Sequence, residues 1–312
     1  MKKTFLICLV LALAIAVMSS CNVSPHQNDT PTEDLEFHLL DDGTYGVSAG
    51  DAKDFEKIVI PATYNDKAVT KIMDKAFFQA GNIKSITVPD SVTSIGEYAF
   101  SECSSLTDLT IGNGVTFIGS GAFNNSHRLK TTKYDNAYYI GNKTNPYVVL
   151  VTAPVSTPEN PIDSCVIHND TKVIGFGAFA RNSDLKSINI PGGVKCISSS
   201  AFYGCSSLTS VTIPDSVTSI GRSAFFECDK LTSVKIGSGV TVINEFTFCA
   251  CDKLETVELP GGITSIGDSA FADCPNLKQI KFCGTEAEWE SVSKHSIWDV
   301  NSEQYTVVCN EK

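Results

Sequence analysis

The chain has 312 residues, of which 42% are hydrophobic and 19% are charged, and its formal net charge is −11. This composition supports a folded core. No run of five or more Lys and Arg residues occurs, so the basic surface that nucleic acid requires is missing and we expect no such partner. The acidic charge is spread along the chain and indicates solubility rather than a specific ligand.

Residues 1–20 have the pattern of a signal peptide, which is not part of the folded domain. Two lysines precede an apolar run at 5–17 that is too short to span a bilayer. The sequence MSSC at 18–21 resembles a bacterial lipobox, in which the cysteine carries the lipid after cleavage. We therefore expect a lipid on Cys21 that holds the protein to a membrane, at the cell surface or the periplasmic face. Plain secretion and a retained membrane anchor are the alternatives.

Two segments of different composition lie between the signal peptide and the regular repeats. Residues 21–36 are rich in Pro, Asn, Asp and Thr and cannot bury enough apolar surface to offset their ordering entropy, which predicts a flexible tether. Residues 37–60 carry an Asp-Gly turn between two strand-like runs, which predicts a hairpin. We expect this hairpin to cap the first repeat, whose open edge would otherwise be exposed.

An internal repeat of 23 residues occupies residues 58–282 and decides the fold. Each unit reads L-x-x-I-x-I-P-x-x-V-T-x-I-G-x-x-A-F-x-x-C-x-x, and its opening alternates apolar and polar residues as a strand does. The marker phenylalanine recurs every 23 residues except at one longer step. The marker residues, predicted to form a buried ladder, are Phe77, Phe100, Phe123, Phe179, Phe202, Phe225, Phe248 and Phe271.

No single unit can bury its own apolar face, so neighbouring units must stack. The predicted fold is a repeat solenoid: a leucine-rich-repeat right-handed superhelix of short parallel strands, capped at both ends. Turns and short 3₁₀ or helical segments near each marker phenylalanine are expected to join the strands. At about 4.8 Å per strand, eight units give a rod roughly 40 Å long. We expect a monomer.

One position of the repeat, three residues after the marker phenylalanine, is usually cysteine. Ala80, Ser126 and Asn182 replace it in three units, so the position accepts small, weakly polar side chains. Inert buried thiols are the favoured interpretation. Disulfides between successive units are a second possibility, and a metal site a third, although cysteines in a row do not converge on one ion. The cysteines are Cys103, Cys205, Cys228, Cys251 and Cys274.

An insertion at 133–168 interrupts the repeats. Two apolar, β-branched and aromatic runs flank the turn sequence GNKTNP, which predicts a hairpin projecting from the rod. Tyrosine gives a large contact area at low entropic cost, so this hairpin is a candidate binding element, and a tolerated loop without a role is the alternative. Its candidate binding residues are Tyr134, Tyr138, Tyr139 and Tyr147.

Residues 283–312 depart from the repeat and predict a C-terminal cap. Trp289 and Trp298, the only tryptophans of the chain, are expected to close the apolar stack. Cys283 and Cys309 flank this cap, and the sequence leaves open whether they pair in a disulfide.

The outward strand positions form the second candidate binding surface. They carry short polar side chains, which suit a broad contact with a protein or glycan, and a solvated sheet face without a ligand is the alternative. The residues chosen from this face are Thr110, Asn189, Thr212, Lys235 and Glu258.

No catalytic motif accompanies these surfaces. The five histidines do not recur at a repeat position, and neither H-E-x-x-H nor a G-x-S-x-G at a strand-to-turn junction is present. We therefore expect no enzyme activity, metal or cofactor.

The repeats resemble the BspA-like branch of bacterial leucine-rich repeats. The resemblance is carried by the VTSIG, AF, C and L positions within 92–106 and 217–231, and by the sequences DDGTY, IPATYNDKAVTKI, NPYVVLV and GTEAEW. It covers 37–309. It implies exported or surface proteins, some of them adhesins that bind host matrix proteins or other cells, and it supplies no catalytic residues.

Three hypotheses about function follow. The first is an envelope-anchored protein that binds a protein or glycan for adhesion or recognition. The second is a structural or envelope-assembly solenoid without a dedicated external ligand. The third is an enzyme whose site lies in the insertion or the cap.

Overall fold

The computed structural model describes residues 33–157, 161–302 and 304–310, all of which belong to one compact unit. That unit is a β-solenoid of about 11 turns with parallel strands and little helix, as the repeat predicts. The predicted signal peptide, Cys21 and nearly all of the tether lie outside the described residues.

The elements are labelled in chain order. The N-terminal stack has nine strands: β1 (Glu36–Leu39), β2 (Tyr45–Ser48), β3 (Lys57–Val59), β4 (Thr63–Tyr64), β5 (Lys67–Ile72), β6 (Ser85–Thr87), β7 (Ser94–Ile95), β8 (Asp108–Thr110) and β9 (Phe117–Ile118). A 3₁₀ helix at Gly50–Asp54 lies between β2 and β3. The insertion contains β10 (Thr132–Tyr134), β11 (Ala137–Ile140) and β12 (Val149–Thr152).

The C-terminal stack follows the insertion. Its elements are β13 (Ser164–Val166), β14 (Val173–Ile174), β15 (Ser187–Asn189), β16 (Cys196–Ile197), β17 (Ser210–Ile213), β18 (Ser219–Ile220), β19 (Ser233–Ile236), β20 (Val242–Ile243), β21 (Thr256–Leu259), β22 (Ser265–Ile266), β23 (Gln279–Phe282), α1 (Glu286–Ser291), β24 (Ser293–Lys294) and β25 (Thr306–Cys309).

Each turn of the solenoid contributes one longer and one shorter parallel strand. Strands of successive turns pair with a register of 23 residues, as in Val211 opposite Val234 on the longer strands and Ile197 opposite Ile220 on the shorter ones. The inward side chains of these strands are buried, so each turn completes the core of the next.

The segment around each marker phenylalanine is a turn and not a helical or 3₁₀ segment, which is one of the forms expected from the repeat. The residues two before and two after the phenylalanine have positive φ, for example 55° at Ser223 and 57° at Glu227 around Phe225. The same holds at all eight markers. A left-handed residue costs roughly 1–2 kcal/mol and cannot continue a right-handed helix, so the chain reverses direction around the ring instead.

The marker rings form two stacked series rather than one ladder. In the C-terminal stack five rings from Phe179 to Phe271 lie 5.0 to 5.4 Å apart, centroid to centroid. In the N-terminal stack Phe77, Phe100 and Phe123 are stacked. Phe123 is only partly buried, because no marker ring follows it directly, whereas the other seven are at most 1% exposed.

The cysteine position has a defined hydrogen-bonding role. The Cys228 thiol donates to the Phe202 carbonyl at 3.4 Å, and the Cys251 thiol donates to the Phe225 carbonyl at 3.3 Å. Ser126 makes the same bond to the Phe100 carbonyl at 2.7 Å, so a hydroxyl can take the place of the thiol at this position. Burial raises the pKa of these thiols. The five repeat cysteines are free thiols in the structure, as are Cys283 and Cys309.

The insertion has antiparallel strands, β11 and β12, on either side of the predicted GNKTNP turn, but these strands belong to a larger sheet and do not project from the solenoid. Its three strands form an antiparallel meander, and β12 then pairs in parallel with β14. The resulting central sheet has the order β10-β11-β12-β14-β16-β18. Tyr139 and Leu150 are fully buried in it, because the meander supplies the strand on which the C-terminal stack begins.

The central sheet has apolar side chains on both of its faces. Val149, Val173 and Cys196 belong to the core of the N-terminal stack, whereas the residue after each of them belongs to the core of the C-terminal stack. The Ser198 hydroxyl also donates to the Ile118 carbonyl at 3.1 Å. The stacks are therefore joined through this sheet, and the eight units do not form one uninterrupted rod.

Both ends of the described solenoid are covered. At the N-terminal end β1 and β2 form an antiparallel hairpin, and the Phe37 ring stacks on the Tyr64 ring at 3.9 Å. At the other end β25 pairs in parallel with β23, and the edge of Trp298 meets the Phe271 ring at 5.9 Å.

Truncation of a ring in the middle of the longer stack should reveal the nearest-neighbour coupling. We expect Phe225→Ala to lower the free energy of unfolding by about 3–5 kcal/mol, because it leaves a cavity between two stacked rings. The outward control Thr212→Ala should change it by less than roughly 0.5 kcal/mol. Urea unfolding followed by circular dichroism measures both, and equal losses would contradict the assignment of inward and outward positions.

Candidate binding surfaces

Four aromatic side chains converge where the insertion returns to the solenoid, and we call them the aromatic cluster: Tyr134, Tyr139, Tyr147 and His168. The Tyr147 ring stacks on the His168 ring at 3.8 Å, and Tyr134 meets His168 edge to face at 4.8 Å. The Tyr139 hydroxyl accepts the backbone N–H of His168 at 3.3 Å, and burial raises the pKa of Tyr139. These contacts within the chain hold the rings in a fixed arrangement.

The four predicted tyrosines have different environments. Tyr139 has no exposed surface and therefore supports the cluster instead of touching a partner. Tyr134 is 36% exposed and Tyr147 is partly buried, so both present ring surface to solvent. Tyr138 has no ring contact with the cluster. His168 was not predicted, because only the meander brings it to the tyrosines and no motif marks it.

The outward residues of the C-terminal stack form a straight row, which we call the outward row. Thr212 lies opposite Lys235, and Lys235 lies opposite Glu258. Asn189 occupies the same position of the preceding unit. Thr110 belongs to the separate sheet β3-β6-β8 and is not part of the row, because the insertion separates the two sheets.

The centre of the outward row carries an ion pair. The Lys235 ammonium lies 2.6 Å from a Glu258 carboxylate oxygen, and this contact raises the pKa of Lys235. The two charges largely neutralise each other. A depression of about 320 Å³ borders them along β17, β19 and β21, and its lining is mostly polar.

The aromatic cluster and the outward row form one continuous surface. The Asp135 carboxylate, in the turn next to Tyr134, accepts the backbone N–H of Val166 at 2.7 Å. Val166 is 59% exposed and lies opposite Asn189, the first member of the row. His168 follows Val166 by two residues. A partner seated on the rings would therefore also reach the row.

The described part of the chain holds neither a cluster of metal ligands nor a membrane-spanning helix. No group of three or more His, Cys, Asp or Glu side chains there is arranged to hold a metal ion. In the same residues no helix is long and apolar enough to span a bilayer.

The parallel strands in 23-residue register define a leucine-rich-repeat solenoid. More specifically, the chain belongs to the family described as BspA type leucine rich repeat region, which matches residues 51–147 and 164–295 in six copies. A search of curated proteins finds no match.

Solved structures share the architecture at low sequence identity. A leucine-rich repeat protein from Eubacterium ventriosum is 18% identical, with 88% of this chain and 95% of that chain covered and a TM-score of 0.47. The pneumococcal vaccine antigen PcpA is 16% identical, with 91% and 98% covered and a TM-score of 0.43. A leucine-rich cell surface protein from Faecalibacterium prausnitzii is 22% identical, with 86% and 99% covered and a TM-score of 0.36.

Proposed function

We propose that this protein is an exported, envelope-anchored binding protein that recognises a protein or glycan on an external surface, and that it is not an enzyme. The observation that carries the proposal is the continuity between the aromatic cluster and the outward row. Together they offer a few fixed rings next to a polar strand face, which is the anatomy of a recognition surface.

The geometry favours a protein partner over a glycan at this surface. Tyrosine is enriched in protein-binding hot spots because its ring adds area at low entropic cost. Tyr147 is held by stacking on His168, so little side-chain freedom remains to be lost on binding. The outward row extends over successive parallel strands and suits the broad contact that a folded protein makes.

Export and anchoring rest on the sequence of residues 1–21. The charged start, the short apolar run and the MSSC sequence support cleavage before Cys21 and a lipid on that residue. The tether at 21–36 would then hold the solenoid away from the membrane with its binding surface accessible.

The binding surface can be tested without deleting the insertion, whose removal would take Tyr139 and Leu150 out of the core. Tether-free protein would be immobilised, and a partner recovered from a cell or matrix extract would be purified. We expect the double variant Tyr134→Ala/Tyr147→Ala to raise the Kd for that partner at least about tenfold, because it removes the exposed rings. Calorimetry measures the Kd.

Tyr138→Ala is the matched control, since this ring lies in the same meander but outside the cluster. It should leave the Kd within about twofold, and both variants should keep the circular dichroism spectrum of the parent. Unchanged affinity of a folded double variant would exclude the cluster. Failure to recover any partner would favour a structural role in the envelope.

The anchor makes a separate prediction. Cys21→Ser removes the sulfur that would carry the lipid, so the protein should move from the membrane pellet to the soluble fraction with its circular dichroism spectrum unchanged. Fractionation followed by immunoblotting measures this. A Cys21→Ser protein that still pellets with membranes would rule out the lipid and point to the apolar run at 5–17 as the anchor.

A further inference from the structure

A concave site lies where the N-terminal and C-terminal stacks meet, and we call it the junction cleft. Its volume is about 540 Å³, which is within the range of small-molecule sites. Three large aromatic side chains line it and are exposed: Tyr98 (38%) and Phe117 (41%) from the N-terminal stack, and Phe176 (39%) from the C-terminal stack. None of these rings contacts another aromatic ring among the described residues.

The cleft has a fixed floor. The buried Ser198 hydroxyl donates to the Ile118 carbonyl at 3.1 Å and so ties one wall to the other. The Tyr98 ring is seated over Gly121 of the next turn, where a Cβ would lie 2.6 Å from a ring carbon. Packing over Gly121 therefore fixes the position of the Tyr98 ring in the cleft.

Part of the backbone around the cleft is already engaged. The N–H groups of Gly119 and Gly221 in the lining, and of Gly177 next to the lining residue Phe176, donate to carbonyls of neighbouring turns at 2.8, 2.8 and 3.2 Å. A peptide that binds by adding a strand needs free backbone donors and acceptors. With these donors used, such a peptide fits the cleft poorly, and the side chains are the groups that a ligand would contact.

The polar side chains of the cleft carry both signs of charge. Glu97 and Glu245 contribute two carboxylates, and Arg222 contributes one guanidinium. The Arg222 guanidinium lies 4.9 Å from the centroid of the Phe246 ring, and it has no carboxylate within ion-pair distance in the described part of the chain. Stacking on Phe246 therefore orients the Arg222 guanidinium, a hydrogen-bond donor that makes no ion pair with the described residues.

We propose that the junction cleft binds a short, uncharged oligosaccharide. The apolar C–H faces of its sugar rings would lie on the separate rings of Tyr98, Phe117 and Phe176, which attract the positive edge of a C–H group. Sugar hydroxyls both donate and accept, so the same ligand satisfies the carboxylates of Glu97 and Glu245 and the guanidinium of Arg222.

An uncharged ligand fits the charges of the site better than an ionic one. An acidic ligand would face two carboxylates, and a basic one would face Arg222. The proposal goes beyond the recognition surface described above, because no residue of the cleft belongs to the aromatic cluster or the outward row.

The test uses the full chain with Cys21→Ser and four tetrasaccharides as probes: β-1,4-linked glucose, β-1,4-linked N-acetylglucosamine, β-1,4-linked mannose and α-1,4-linked glucose. Saturation-transfer NMR detects binding and calorimetry gives the Kd. We expect at least one probe to bind. Phe117→Ala and Arg222→Gln should each weaken that binding at least about tenfold, the first by removing a ring and the second by removing the donor fork.

Phe78→Ala is the matched control, because Phe78 is equally exposed at 39% but lies outside the cleft. It should leave the Kd unchanged. Arg222→Gln changes an exposed side chain, so it keeps the test valid if Phe117→Ala fails to fold. Binding of none of the four probes, or binding that survives both variants, overturns the proposal. Sugar binding retained by Tyr134→Ala/Tyr147→Ala would separate this site from the proposed recognition surface.

Discussion

The structure depends on the in-register stacking of turns that are incomplete alone. A single turn exposes one face of its strands and both faces of its marker ring, and only the next turn covers them. Around each ring the chain accepts two left-handed residues, a local cost that burial of the phenylalanine offsets. The cysteine thiols and the Ser126 hydroxyl donate to phenylalanine carbonyls in this tight turn, so the buried thiols and the hydroxyl have hydrogen-bond partners.

Stacking also explains where binding surfaces can arise. A regular stack presents the same polar face at every turn, so it offers little to distinguish one ligand from another. The aromatic cluster and the junction cleft both occur at the interruption between Phe123 and Phe179, where the repeat cannot supply a covering turn. The central sheet spans this interruption with apolar side chains buried on both of its faces. The exposed rings of the aromatic cluster and of the junction cleft lie at its borders.

The repeat positions could be predicted from the sequence because their chemistry recurs. The spacing of the marker phenylalanines gave the turn length and the inward strand residues directly. The joint between the stacks could not be predicted in this way, because it depends on contacts such as Ser198 with Ile118 that are remote in the chain.

A usable signal for the joint was nonetheless present. The outward position of the shorter strand is serine at Ser94, Ser219 and Ser265 but apolar at Val173 and Cys196, where the N-terminal stack covers it. Phe117 and Val242 are apolar at the same position yet exposed, so an apolar residue there identifies the joint only together with its burial. The role of His168 could not be predicted in a comparable way, because a single histidine forms no sequence pattern. Its contact with Tyr147 arises only from the path of the meander.

The central claim is that the insertion is part of the core that joins the two stacks. Native-state hydrogen exchange of the amides in β11, β12 and β14 tests it most directly. The account predicts that these amides exchange as slowly as those of β19 in the middle of the C-terminal stack, because both require the same cooperative unfolding. Exchange of the β11 and β12 amides near the rate of an unfolded chain, with β19 still protected, would mean that the insertion is a detached hairpin and would contradict the account.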